Sequence, residues 1–129
     1  TDRGPIGVDV EWLRSVREFD GIVGRFFGEP ERAVYQRLPK ALRVEAFYRG
    51  WTGKEAYLKA IGKGLAGPLE GVEVAIDPRQ PGGLLSLAHD DVGRWSLHAF
   101  EPHPDYRGAV VIAGPRVYPR DFTAEEIDV

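Results

Sequence analysis

Cysteine is absent from this 129-residue chain, which excludes disulfides, zinc–thiolate sites and cysteine nucleophiles and leaves any bound metal to oxygen ligands. Methionine is absent too. With Thr1 as the first residue, this sets the expectation of a fragment of a longer protein, although excision of an initiator before threonine gives the same start. No apolar run approaches the roughly 20 residues needed to cross a bilayer, and the polar opening TDRGPIG lacks the regions of a signal peptide. No membrane association is expected, and the cytoplasm is the default location. Positive charge is not in excess, since 17 Lys and Arg face 20 Asp and Glu for a net charge of -3. The basic residues are scattered, so no nucleic-acid partner is expected.

What is present fits one soluble domain, long enough to bury roughly two thirds of its unfolded surface around a single core. Ile6 to Val10 is a short apolar run behind Gly4 and Pro5, long enough for a strand and too short for a helix. From Trp12 to Phe27 the apolar residues Leu13, Val16, Phe19, Val23 and Phe26 recur at three or four and predict a helix, interrupted near Asp20 and Gly21. A second helix is expected from Pro30 to Leu38, ahead of Pro39. Ala41 to Ile61 is the longest periodic stretch, with Val44, Phe47, Trp51, Leu58 and Ile61 as its buried stripe. Gly50 and Gly53 cost about 1 kcal/mol each inside a helix, so a bend there or a restart at Thr52 is expected. Strands follow at Val72–Ile76, Leu84–Leu87, Arg94–Phe100 and Ala109–Ala113, with a turn region from Asp77 to Gly83. Short connections favour antiparallel pairing. The expectation is an α+β domain over residues 1–114, with helices packed on one side of a small antiparallel sheet, and an irregular acidic tail at 115–129.

Two segments carry the chemistry. Asp9 and Glu11, two apart on a strand, share a face roughly 6.6 Å apart at about 3.3 Å per residue. They read either as a solvated strand end before an acid-tolerant helix start or as a magnesium site, since a hard cation takes carboxylate oxygens and completes its shell with water and phosphate. Glu55 and Lys59 share a helix face, with Lys54 beside them. An exposed ion pair explains that spacing, and Thr52 with Glu55 has the spacing of a capping box. The functional alternative puts Glu55 on the metal and the lysines on phosphate oxygens. Gly62 and Gly64 flank Lys63 after the helix, where one glycine serves as a C-cap and two let the backbone approach a ligand. His89, His98 and His103 have no mutual metal-ligand spacing. Trp51, Trp95, Phe26 and Phe27 read as core before base-stacking platform.

The joint pattern resembles the 4'-phosphopantetheinyl transferases, specifically the surfactin-synthetase-activating type. The matching residues are GVDVE at Gly7–Glu11, RFFGEPE at Arg25–Glu31, WTGKEAYLKAIGKGL at Trp51–Leu65, PLEGVEV at Pro68–Val74 and WSLHAFEPHPDYRGAVVIA at Trp95–Ala113. The resemblance implies transfer of the phosphopantetheine arm of coenzyme A to a serine of an acyl or peptidyl carrier protein, with release of adenosine 3',5'-bisphosphate. It implies Asp9, Glu11 and Glu55 as ligands of Mg2+, Glu11 directly or through water. Lys59 and Lys54 are implied as pyrophosphate partners, Gly62 and Gly64 as coenzyme-binding, and Glu55 as acceptor of the serine proton, directly or through a metal-bound water. Lys59 is thus implied in catalysis as well as binding. The segment from Trp12 to Leu38 falls where the family binds its carrier, so Phe26 and Phe27 serve either the core or that partner.

Enzymes of this type have two similar halves with coenzyme A between them, and this sequence matches the second half only. The resemblance therefore implies a missing N-terminal half or a homo-oligomer partner, and poor activity of the chain alone. The holo-acyl-carrier-protein synthases, the other branch, use chains of this size as homotrimers. A noncatalytic carrier-binding module, docking through the helices after Glu11, is the expectation from another class.

Overall fold

The structure, a computed structural model, describes residues 5–14, 19–63 and 69–114. Gly64 and the expected tail at 115–129 lie outside those residues. The elements run β1 (Ile6–Trp12), α1 (Phe19–Phe26), α2 (Glu29–Arg37), α3 (Lys40–Ala60), β2 (Val72–Val74), β3 (Leu84–Leu87), β4 (Trp95–His103) and β5 (Tyr106–Ala113). The strands form two antiparallel sheets rather than one: β1–β5–β4, and a separate pair β2–β3. The first strand thus pairs with the last, Asp9 opposite Ala109 and Glu11 opposite Arg107. Among the described residues no helix is long and apolar enough to cross a membrane.

Three local expectations are corrected. β1 continues to Trp12 and α1 begins at Phe19, with Asp20 and Gly21 inside it. Asp20 lies in the first turn of α1, where an acid suits the helix start, and its carboxylate accepts the Tyr35 hydroxyl of α2 at 2.9 Å. Second, α3 is continuous from Lys40 to Ala60, without a restart at Thr52. Its glycines are there for packing: a Cβ on Gly50 would stand 2.7 Å from the Phe27 ring, and one on Gly53 would stand 3.0 Å from Leu97. Third, Thr52 caps nothing; its hydroxyl donates to the Tyr48 carbonyl one turn back at 2.7 Å.

α3 is the axis of the domain. It packs on Phe19, Phe27 and Leu38 from the shorter helices and the residues that follow them, and on Val74, Ile76, Leu97, Ala109 and Val111 from the strands and the residues just after β2. Phe27 is completely buried, which places it in the core, whereas Phe26 is half-buried with its ring edge-on to Trp51.

β1 comes unusually close to α3. A Cβ on Gly7 would lie 1.9 Å from the Ala56 carbonyl oxygen and 2.4 Å from the Ala60 amide nitrogen. Both are backbone atoms and cannot rotate aside. Gly7→Ala is therefore expected to force strand and helix apart and to cost about 1–3 kcal/mol or more. Urea denaturation measures this, and an unchanged midpoint would contradict the close approach.

The other face of the three-stranded sheet carries Ile6, Val8, Val10 and Trp12 from β1, beside Val110 and Ile112 from β5. Ile6, Trp12 and Tyr106 are exposed on it.

Candidate active site

Gly7 and Asp9 are two apart on β1, so the contact that brings Gly7 onto α3 also turns Asp9 toward that helix. Glu55 and Lys59 lie one turn apart on α3 and meet it there. The Lys59 ammonium donates to Asp9 Oδ1 at 2.8 Å. Asp9 and Glu55 are each only 4% exposed. The reading of Glu55 and Lys59 as a solvated surface pair is thereby corrected, since Glu55 is buried and Lys59 reaches across to β1. The solvated-strand-end reading of Asp9 fails for the same reason.

Two buried carboxylate oxygens here, Asp9 Oδ2 and Glu55 Oε1, have no hydrogen-bond partner. Buried polar atoms are seldom left so. Burial first, and then the charge of Asp9, push the Glu55 carboxyl above its ordinary range, with Lys59 opposing. Glu11 completes the group. Burial, the charge of Asp9 and a hydrogen bond to Asp9 raise it to about 7, against the pull of Lys59 and with a further push from Glu55. Burial lowers the Lys59 ammonium, but the hydrogen bond and charge of Asp9, with Glu55 and Glu11 behind them, outweigh it and leave Lys59 raised. With every group ionised, three carboxylates face one ammonium, so two negative charges lack a counterion. Among the described residues no group of three or more His, Cys, Asp or Glu side chains is placed so that it could hold a metal ion, so Asp9, Glu11 and Glu55 do not converge as a three-carboxylate site.

Lys54 corrects the expectation that it faces phosphate. It is fully buried on a different side of α3. Its ammonium donates to Glu31 Oε1 at 2.6 Å, to the Leu69 carbonyl at 3.0 Å and to the Val72 carbonyl. An ammonium has three donors, and all three are taken. Glu31, in the first turn of α2, also accepts from the Gly28 and Val74 amides at 2.8 and 2.7 Å. Gly62 has φ +81°, and the amides that follow α3 return to it, Gly62 N to Lys59 O and Lys63 N to Leu58 O. Its left-handed backbone ends the helix just beyond Lys59.

Sequence reasoning gave no role to Glu31 or Asp90. The signal for Glu31 was its place three residues after Gly28, where an acid serves a helix start. Asp90 sits in a turn of ordinary composition and gave no signal.

The fold and this group of residues define a domain that holds carboxylates of its first strand against a glutamate and a lysine of its central helix, an arrangement suited to a cation and a phosphate. Residues 5–111 match the 4'-phosphopantetheinyl transferase superfamily, and the chain belongs to that superfamily. It is 38% identical over 109 residues to the 4'-phosphopantetheinyl transferase HetI of Nostoc, covering 84% of this chain and 44% of that protein. It is 31% identical over 122 residues to the 4'-phosphopantetheinyl transferase Sfp of Bacillus subtilis, covering 95% of this chain and 52% of that one. The chain thus spans about half the length of these curated relatives. Among solved structures, the holo-(acyl-carrier-protein) synthase of Bacillus anthracis in complex with CoA (3',5'-ADP) superimposes with a TM-score of 0.66 at 25% identity, covering 87% of this chain and 96% of that one. The Thermotoga maritima holo-[acyl-carrier-protein] synthase gives a TM-score of 0.64 at 26% identity, covering 87% of this chain and 64% of that one.

Proposed function

We propose that this chain contributes the reacting half of a site that moves the 4'-phosphopantetheine arm from coenzyme A to a serine of an acyl or peptidyl carrier protein, with Mg2+ and with release of adenosine 3',5'-bisphosphate. The observation that carries this reading is the meeting of Asp9, Glu55 and Lys59, with two buried carboxylate oxygens left unpartnered, in a member of this superfamily. Oxygen donors and uncompensated negative charge suit magnesium, which takes one or two carboxylates and fills its remaining positions with water and substrate phosphate rather than demanding a protein cage. Asp9 and Glu55 would hold it, with Glu11 beside them. When bound, it supplies positive charge for the phosphate oxygens as the P–O bond breaks.

The chain's own residues do the rest. Lys59, half exposed with its ammonium tethered to Asp9, is placed to donate to pyrophosphate oxygens as they gain charge. Glu55 accepts the serine proton while the serine oxygen forms its bond to the phosphorus bearing the pantetheine arm; the electron pair of the breaking bond leaves on the adenosine bisphosphate. Glu55 is suited to this by its position beside Asp9 and Lys59, since a bound cation would offset the charge of Asp9 and lower the proton affinity of Glu55. Phe26, half-buried on α1, together with the outer turns of α1 and α2, is the proposed carrier-facing side.

The partner that completes the site is proposed to pack on the apolar sheet face of Ile6, Val8, Val10 and Trp12. Its exposed Ile6 and Trp12, and the match to only about half of HetI and Sfp, support a second half or a second copy of this chain there. The chain is expected to self-associate with rising concentration in sedimentation runs, and an Ile6→Lys, Trp12→Lys double variant to sediment as a monomer. A wild-type chain that stays monomeric and monodisperse at high concentration counts against this face.

The test of the function is mass spectrometry of an apo carrier protein incubated with this chain, coenzyme A and magnesium. A gain of one phosphopantetheine group supports a site completed by a second copy. Gain only after a first-half fragment is added supports a half-enzyme, and no gain under either condition overturns the transfer reading in favour of a carrier-binding module.

A further inference from the structure

The helix that presents Glu55 and Lys59 is fixed on its far side by a residue outside the reacting group. Tyr57 is two residues from each of them, and at about 100° per residue its side chain leaves α3 roughly opposite both. Its hydroxyl donates to Asp90 Oδ2 at 2.7 Å, and the Trp95 indole nitrogen donates to the same oxygen at 2.7 Å. The other oxygen of Asp90 accepts from the Asp91 amide at 2.8 Å and from Arg94 at 3.3 Å. One carboxylate thus gathers a tyrosine of α3, a tryptophan of β4 and its own turn. The Tyr57 and Trp95 rings meet edge-on, with centroids 5.5 Å apart.

Tyr57 is a core residue, 5% exposed, and it also borders a pocket of about 180 Å³ lined by Leu58, Ile61, Val72 and Leu87, so its hydroxyl bond to Asp90 adds direction to a contact that packing alone leaves non-directional. A rotation of α3 by about 20° carries a group some 6 Å from the axis through about 2 Å, far outside the tolerance of the Lys59–Asp9 hydrogen bond.

We infer that Asp90 is a positioning residue: through Tyr57 and Trp95 it fixes the rotation of the last two turns of α3, and so sets where Glu55 and Lys59 stand relative to Asp9. As far as metal is concerned, this rests on the function proposed above; the Lys59–Asp9 contact does not depend on it. The experiment compares wild type with Asp90→Ala, Asp90→Asn and Tyr57→Phe at a temperature where all are folded. Its two readouts are Mn2+ affinity by titration and the 15N signal of the Lys59 ammonium, assigned by its loss in Lys59→Arg.

Asp90→Ala and Tyr57→Phe are expected to weaken Mn2+ about tenfold, the lower end for loss of an outer support, and to move the Lys59 signal toward that of an exposed lysine. Asp90→Asn, whose carbonyl oxygen still accepts two bonds, is expected to lie nearer wild type. Variants that lose thermal stability while both readouts stay put overturn the inference and make Asp90 a turn staple only. If wild type binds no Mn2+ and the Lys59 signal still moves, the positioning role stands and the metal reading falls.

Discussion

Glu55→Gln is expected to lower the rate of carrier modification by about 10²–10⁴-fold, the range for loss of a positioned general base, while the protein stays folded. Glutamine keeps the shape of a side chain that is 4% exposed and removes only the charge and the basic oxygen. That charge is costly where it stands, because burial and the neighbouring Asp9 disfavour the ionised form. Thermal stability is therefore expected to be unchanged or slightly higher. A large activity loss without a stability loss separates this residue from its structural neighbours. The measurement pairs the intact mass of the carrier against time with a melting curve, both made in whichever assembly supports transfer. Transfer at the wild-type rate by the glutamine variant would remove Glu55 from the mechanism, while a collapsed melting curve would mean that its role is in folding.

The residue beside it is expected to behave in the opposite way. Lys54→Met is expected to destabilise the domain by about 3–5 kcal/mol, the cost of leaving one partner of a buried ion pair alone. Domains of this kind have only about 5–15 kcal/mol to lose. The partner left behind is Glu31, 1% exposed, and the Leu69 and Val72 carbonyls lose their donor with it. Adding Glu31→Leu is not expected to restore stability, because the Gly28 and Val74 amides then lose their acceptor. Four backbone groups from three segments depend on this one pair, so replacing it by apolar side chains leaves each to be buried unpaired. Urea denaturation of the single and double variants measures it. A loss under about 1 kcal/mol in the single variant would show that the ammonium is not enclosed in solution.

These two expectations divide a motif that reads as one unit in the sequence. Lys54, Glu55 and Lys59 share a short helical segment, and spacing puts Glu55 with Lys59 on a common face. Spacing does not say which face of α3 is buried or against what. α2, β3 and the central parts of β4 and β5 were legible, because apolar periodicity and proline positions are local. The buried stripe was legible only in part: Phe47 and Leu58 are buried while Val44, Trp51 and Ile61 are partly so, because α3 is enclosed by helices and strands on several sides. The restart expected at Thr52 was not found, because Gly50 and Gly53 answer to the Phe27 ring and to Leu97, which come from distant parts of the chain. The split into two sheets was equally out of reach, since pairing β1 with β5 joins residues about a hundred positions apart.

By itself the sequence determined the kind of chemistry available here. Without cysteine, and with histidines that share no ligand spacing, it left carboxylates and lysines as the working groups; alternation put Asp9 and Glu11 on one strand face, and the series of motifs pointed to the transferase superfamily. Only the tertiary structure decided which of those groups meet. The absence of a side chain at Gly7 brings β1 against Ala56 and Ala60, and that contact joins Asp9 to Glu55 and Lys59. Packing at α2 and β2 draws Lys54 inward to Glu31 and away from any ligand. The physical reason is that residue type and local period are properties of a segment, whereas burial and partnership depend on which segments the whole chain brings together.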